Sequence, residues 1–585
     1  MQRSSSHPLS VWPVLAVLLL SSIAYGQKQG TVAEQHYEKG VALLEKHQID
    51  DAITELLLAT RLNPNSPDAY NVLGIALSRK GDVKAATSAF GKAVQLDPTL
   101  YEAQLGLGAA LQQSGNVNGA IAAFKQAASL KPNEVEGRLL LGAALQQQGD
   151  LDAALGEFRE AVRLSPDNPE AHSYLGFALG VKGSLQESIS EFEAAVKLKP
   201  EFAEAQYYLG AARWFANDTS GAIAALKTAA KLKPDHTNAH YYLGLALQKN
   251  GDLPGAINEL GMAVKLSPEM IEPRHALGQA LVQDENLDGA IEAFREVVRL
   301  KPDFVQAHND LGLALVQNRD PEGAIAEFNA VLKLEPKNLV AHHNLGTALI
   351  QKGDYAAAVA QYRRLLALAP DDAEAHYNLG LALKQKDALD EAVIELKKAT
   401  ALQPALPEAH YTLGVIYLQQ SKLDMAATSF KEAIKANQNY SEAHYALGTV
   451  LQQQGKLDDA VASFREALRY APNAPEIHNT LGTALRQKGD MDAARIEFQE
   501  AARLNKIKSN MQAGVFATNT GIARLKEGKL DAAIERFQAA IQLDPTSAQA
   551  YYNLARALQQ KGQKEAARIA FQKARELDPH IRALP

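Results

Sequence analysis

The chain has 585 residues, a formal net charge of −7 and no cysteine. The missing thiols exclude disulfides, thiolate catalysis and cysteine-based metal sites, and the evenly spread charge leaves no basic stripe for a nucleic acid. Aromatic residues make up only 6% of the chain while Ala, Leu and Gln recur throughout, a composition that predicts helices meeting through small side chains.

At the N-terminus one basic residue, Arg3, precedes the apolar run VWPVLAVLLLSSI, which is too short to span a bilayer comfortably. Ala24 and Gly26 are the small residues a signal peptidase needs. Residues 1–26 are therefore expected to be a secretory signal peptide, cleaved after Gly26, with 27–32 as a short lead-in. No cysteine follows for lipidation; the competing reading is an uncleaved N-terminal anchor. The expected location is exported, either periplasmic or secreted. No later segment is apolar enough to cross a membrane.

From residue 33 onward the sequence repeats. A glycine recurs every 34 residues from Gly40 through Gly74, Gly108 and Gly142 to Gly482; after five extra residues the series resumes at Gly521, with Ala555 in the last unit. This spacing marks fourteen units over 33–508, an insertion at 509–513, two further units over 514–581 and a tail at 582–585.

Each unit carries two helical patterns. In 373–406, His376, Leu379, Gly380 and Leu383 share one face of a first helix; Ala392, Leu396 and Ala399 do the same in a second. Gly353, Gly455 and Gly489 suit the left-handed turn that ends a first helix, and Pro336, Pro370 and Pro404 stop a second. With places numbered along each unit, Gly at place 8 and Ala at place 20 (Ser188 in one unit) let the two helices approach closely. A large residue at place 24, such as Phe90, Phe124, Phe158 or Phe294, is the knob that fills the gap to the next unit.

These residues together resemble the tetratricopeptide repeat, whose pattern is W-x2-L-G-x2-Y…A-x3-F…P. The Leu-Gly, Ala, Phe and Pro elements match in nearly every unit. The departures are Gln438 and Lys506 where Pro is expected, Ala555 for Gly, and the insertion, which is expected to rotate the last two units slightly. The resemblance implies an all-α fold, a right-handed α-solenoid superhelix of about 16 helix-turn-helix units. It also implies binding in a concave groove lined by the first helices, with places 2, 5, 9, 12 and 13 pointing inward.

In that register place 2 is mostly acidic (Glu102, Glu136, Glu170, Glu204, Glu374), and place 5 is often aromatic (Tyr207, Tyr241, Tyr377, Tyr411, Tyr445). Place 13 is mostly Gln, including Gln351, Gln385, Gln419 and Gln453. Each amide both donates and accepts, so a Gln ladder suits an extended peptide backbone; Gln is equally a good residue for a plain exposed helix face. Trp214 and Phe215 stand at places 12 and 13 of the sixth unit, either as anchors for a partner or as a cover for the turn at 217–220.

Two signatures of the family are missing. The Lys at place 5 and Asn at place 9 that clamp a C-terminal carboxylate in chaperone-binding members do not occur. The place-6 Asn ladder of O-GlcNAc transferases survives only at Asn344, Asn378, Asn519 and Asn553, and with the array running to 581 no glycosyltransferase domain is expected. No Gly-rich phosphate loop, HExxH helix or nucleophile elbow is present. His236 and His240 straddle a loop and a helix start, which argues against a shared metal.

Histidine recurs at place 4, for example at His342, His376 and His410. Equivalent rings would stand about 8–10 Å apart, too far to share a metal whose bonds to nitrogen are about 2 Å. The row is expected to be structural, packed toward the preceding unit, and to soften the array in acid. No enzymatic activity, cofactor, metal or nucleic-acid partner is expected. The expected function is that of an exported scaffold or adaptor binding proteins or peptides. The alternatives are a structural component of a cell-envelope assembly or of a polysaccharide or pilus secretion machine, and an accessory subunit of a separate glycosyltransferase.

Overall fold

A computed structural model describes residues 31–581 and Leu584; the expected signal peptide at 1–26 and most of the lead-in and tail lie outside the described residues. Among the described residues the chain is all α, with 31 helices and no strand. The helices form two compact units, one up to Asn318 and one from Arg319 onward, each an α-solenoid of successive helix pairs.

The local signals for each pair are visible in the second repeat. Ser66 accepts a hydrogen bond from the Ala69 amide at 3.2 Å, and Pro67 opens the helix Pro67–Lys80. Gly81 ends it at φ 86°, a left-handed conformation that glycine adopts without steric cost. Asp82 then caps the helix Val83–Leu96 by accepting from the Ala85 amide at 3.0 Å. Units without glycine at this turn hold His47, Asn217, Glu285, Arg319, Asp387 or Ser421 at positive φ instead.

The place-24 residue does more than plug the gap to the next unit. A Cβ on Gly142 would lie 2.5 Å from Cε1 of Phe158, and one on Gly108 equally close to Phe124, so the ring also fills the notch left by the glycine of its own unit. It reaches the next unit as well: a Cβ on Gly106 would overlap Phe90. The Ala residues at place 20 are fully buried. Ser188, the one departure, is also buried and donates its hydroxyl to the carbonyl of Gly176 at 2.7 Å, which satisfies the extra polar atom.

The place-4 histidines form a clasp. His376 Nδ1 lies 2.6 Å from Glu395 Oε2 on the second helix of the same unit, and Nε2 lies 2.9 Å from the carbonyl of Pro370 in the loop leaving the preceding unit. His172, His240 and His478 repeat the arrangement with Glu191, Glu259 and Glu497. In the unit of His342, Gln361 takes the carboxylate's place. The row therefore reaches backward, as the sequence suggests, but also ties together the two helices of its own unit. Where both ring nitrogens face acceptors, each contact is a hydrogen bond only when that nitrogen carries a proton.

The two missing prolines have different outcomes. At Gln438 the second helix Leu423–Ala436 still ends on schedule. At Lys506 it does not: the helix Met491–Lys526 runs unbroken for 36 residues and contains the whole 509–513 insertion. No Gly or Pro falls between 491 and 513, and the run is rich in Ala, Arg, Glu, Lys and Gln, which favour continued helix. The second helix of unit 14 and the first helix of unit 15 are thus one rod, not two helices joined by a turn with a slight rotation.

Candidate ligand-binding face of the first helices

In the unit ending at Asn318, the residues singled out around repeat six come together as a chain of rings. Tyr207 is half-buried, its ring 4.5 Å from that of His236, 4.9 Å from Tyr208 and 6.3 Å from Tyr242. Tyr241 lies 5.1 Å from Tyr242, and Phe215 meets the edge of Tyr242 at 5.9 Å. Phe177 joins from the preceding unit, 5.2 Å from Tyr208. Burial raises the Tyr207 phenol well above its ordinary range, and that of Tyr241 to about 12; burial also lowers the pKa of His236, whose Nδ1 accepts from the Ala239 amide at 3.2 Å.

The paired aromatics divide in role. Trp214 is half-buried against Leu226, Leu243 and Leu247, with Lys249 Nζ 5.3 Å above its ring, so much of it is core. Phe215 is 43% exposed and presents a free face beside Tyr242. Tyr208 and Tyr242, at place 6, complete the patch. In the sequence they register only as breaks in an Asn ladder, although tyrosine at place 6 in three successive units (Tyr174, Tyr208, Tyr242) is the signal that finds them.

In the unit from Arg319 onward the place-5 tyrosines are chiefly packing groups. The Tyr411 ring lies tilted 5.6 Å from that of Phe430 and 5.2 Å from that of Tyr440, and the Tyr445 hydroxyl lies 3.2 Å from that of Thr480. Tyr377 is likewise half-buried, and burial raises its phenol pKa. Gln351, Gln385, Gln419 and Gln453 are all exposed. Elsewhere the place-13 amides accept from the place-12 Gln of the preceding unit: Gln147 from Gln112 at 2.7 Å, Gln283 from Gln248 at 3.1 Å and Gln487 from Gln452 at 2.8 Å. Each such bond leaves amide capacity for a peptide backbone.

Part of the acidic row serves the fold. Glu102, Glu170 and Glu204 pair with Lys131, Lys199 and Lys233 of their own units at 3.0, 3.3 and 3.1 Å, exposed contacts that contribute little each. Glu136 differs. Its Oε1 and the hydroxyl of Tyr101, which is 5% exposed, are buried without a hydrogen-bond partner among the described residues. Burial, reinforced by Glu134 and Glu102, raises Glu136 to about 7.

Among the described residues no three His, Asp or Glu side chains gather in a metal-binding group, and no helix is long and apolar enough to cross a membrane. His236 and His240 hold separate partners: His240 binds Glu259 at 2.6 Å and the Pro234 carbonyl at 3.0 Å.

A family model for the tetratricopeptide repeat matches residues 15–100, 105–169, 211–270, 275–338 and 445–506. A TPR repeat model matches 346–387, 384–421, 414–455 and 521–562, and a further tetratricopeptide repeat model matches 548–581. Similar solved structures include YrrB, a TPR protein with an unusual peptide-binding site, at 21% identity over 32% of this chain and 96% of that one, with a TM-score of 0.30. The MamA protein is 26% identical over 29% of this chain and 92% of that one, with a TM-score of 0.28. Yeast Tom70 is 19% identical over 72% of this chain and 96% of that one, with a TM-score of 0.29. No curated protein matches the chain.

Proposed function

The chain belongs to the tetratricopeptide repeat family, and on that premise we propose that it is an exported, non-catalytic scaffold that binds proteins or peptides along the first helices of its repeats. The observation that carries this reading is the ring patch of Tyr207, Tyr242 and Phe215, where an aromatic side chain stands open at a place that most other units fill with Gln. Covering such a ring contributes about 1.5–3 kcal/mol, and the Gln248 amide of the next unit, with Gln283 beyond it, offers donors and acceptors to a peptide backbone. Export rests on the apolar N-terminal run and on the small residues Ala24 and Gly26.

Trp214 is the sole tryptophan beyond the first 26 residues, so its fluorescence follows events at the patch. A panel of extended peptides bearing apolar side chains should shift that emission on binding. Phe215→Ala and Tyr242→Ala should each weaken binding by about tenfold or more. Peptides that bind both variants as tightly as the parent would rule out the patch. Export is checked by the N-terminus of protein recovered from outside the cytoplasm: Gln27 is expected, and an intact Met1 on membrane-attached protein would instead mark an anchor.

A further inference from the structure

The fused helix Met491–Lys526 leaves two repeat faces uncovered. At place 24, residues from Leu56 to Phe464 and again Phe537 are at most 2% exposed; Phe498 of unit 14 is half-buried, like Phe571 of the last unit. Place 3 is Ala in most units, at most 1% exposed, because it docks on the second helix of the preceding unit. In unit 15 it is Phe516, which is 76% exposed, as the start of an array would be. Unit 14 thus ends like a C-terminal unit and unit 15 begins like an N-terminal one, in the middle of the chain. A turn would have folded these two faces onto each other; a straight rod holds them apart.

We propose that a second copy of this chain covers them, with two Met491–Lys526 helices packed antiparallel about a two-fold axis at Ser509. The row Phe498, Ala502, Asn505, Ser509, Gln512, Phe516 and Asn519 runs along one side of the rod, spaced alternately by four and three residues, and is self-complementary about that axis. Ala502 meets Phe516, Asn505 meets Gln512, Phe498 meets Asn519, and Ser509 meets its own copy. Ala502, Asn505, Ser509, Gln512 and Asn519 are all exposed in the single chain.

These are the same pairings that join ordinary units. Place 28 meets place 3, as at Ala128 and Gly137, where a Cβ on the glycine would lie 3.4 Å from the Ala128 nitrogen; place 24 meets place 6, as at Phe90 and Gly106. Most units put the larger residue at place 28 and Ala at place 3. Here Ala502 and Phe516 reverse the sizes, which keeps the pair's volume. A large residue at place 3 is compatible with a packed pair, since Ile477 is 5% exposed opposite Leu468. Each copy thus supplies both halves of the contact its own rod prevents, and the two contacts close a symmetric dimer without an open edge.

The test is the solution mass of the full chain by light scattering, with two variants. The chain should be a dimer at about 50 µM, and Phe516→Asp, at a position already exposed in one copy, should weaken association by more than ~100-fold with helicity unchanged. Because the chain has no cysteine, Ser509→Cys supplies a single thiol on the axis. A short bismaleimide should join two such chains, whereas Ile507→Cys, on the opposite side of the rod, should react without joining. A monomer at that concentration overturns the proposal. So does a dimer indifferent to Phe516→Asp, or one in which Ser509→Cys does not cross-link.

Discussion

Replacing Gly142 by Ala tests whether the glycine at place 8 is there for space. The added methyl would stand 2.5, 2.8 and 2.9 Å from Cε1, Cδ1 and Cζ of Phe158. Carbon atoms in contact sit at roughly 3.5–4.0 Å, so the ring would have to recede by about 1 Å. It has no room to do so: Phe158 is fully buried against Leu155, Leu175 and Leu179 and stacked 5.5 Å from Tyr174. Overpacking of this kind costs about 1–3 kcal/mol, and the better helix propensity of Ala returns about 1 kcal/mol. The expected net is a local destabilisation of up to about 2 kcal/mol, equivalent to at most roughly 30-fold faster exchange of the amides of 135–164 if they open locally. Hydrogen exchange resolved by peptide is the suitable assay, since a long repeat array does not unfold in one step. In a Phe158→Ala background the methyl meets no ring, and Gly142→Ala should become neutral or stabilising. The same effect of Gly142→Ala in both backgrounds would refute the notch.

Three further expectations concern individual side chains. Glu136 carries a folded pKa of about 7 against an ordinary 4.5, chiefly through burial and then through Glu134 and Glu102, with Lys131 opposing. Its favourable contribution is therefore fully present below about pH 4.5 and lost as pH rises through about 7. Glu136→Gln should stabilise the third and fourth repeats by about 1–2 kcal/mol at pH 8, allowing for partial exposure; equal stability of variant and parent at pH 8 contradicts this. A double-mutant cycle of His376→Ala and Glu395→Gln should show a coupling of about 0.5–1.5 kcal/mol; additive effects of the two changes would show that the clasp does not hold the two helices. Ala555→Gly should cost about 1 kcal/mol, because Ala555 is buried beside a Phe571 that is only half-covered, and the notch kept by glycine elsewhere is not needed there; a neutral result in thermal unfolding would argue otherwise.

The repeat spacing made most of the fold legible, because a 34-residue register of small, large and helix-stopping residues leaves little choice of architecture. The carboxylate facing most of the place-4 histidines was harder to see. Glu395 is 19 residues from His376 and looks like any other exposed acid until the two helices are paired. The rod at 491–526 is subtler. Both Gln438 and Lys506 replace a proline, yet only the second is followed by a stretch in which the next helix start has moved by five residues, so that helix can continue to it. On the first-helix face, places 5, 12 and 13 were visible, but what each does depends on which side the neighbour covers. That is why Trp214 is largely core while the adjacent Phe215 is open, and why Tyr242 belongs with them.

The break at 509 is tolerable because most of a repeat's packing is internal. Unit 14 keeps its own notch, with a Cβ on Gly482 placed 2.9 Å from Phe498, and its own clasp, with His478 2.6 Å from Glu497. Unit 15 keeps Gly521 against Phe537, where a Cβ would approach to 2.5 Å, and Phe537 is fully buried. In a solenoid the stability is approximately the sum of such intrinsic terms and of nearest-neighbour terms. Fusing the two helices deletes one nearest-neighbour term and leaves the intrinsic ones standing. The deficit is therefore local: it falls on Phe498 and Phe516, the residues that would have met across the missing contact, and not on the notches or clasps behind them. A chain built this way can remain folded on both sides of the rod while presenting, at one place only, two surfaces shaped for each other.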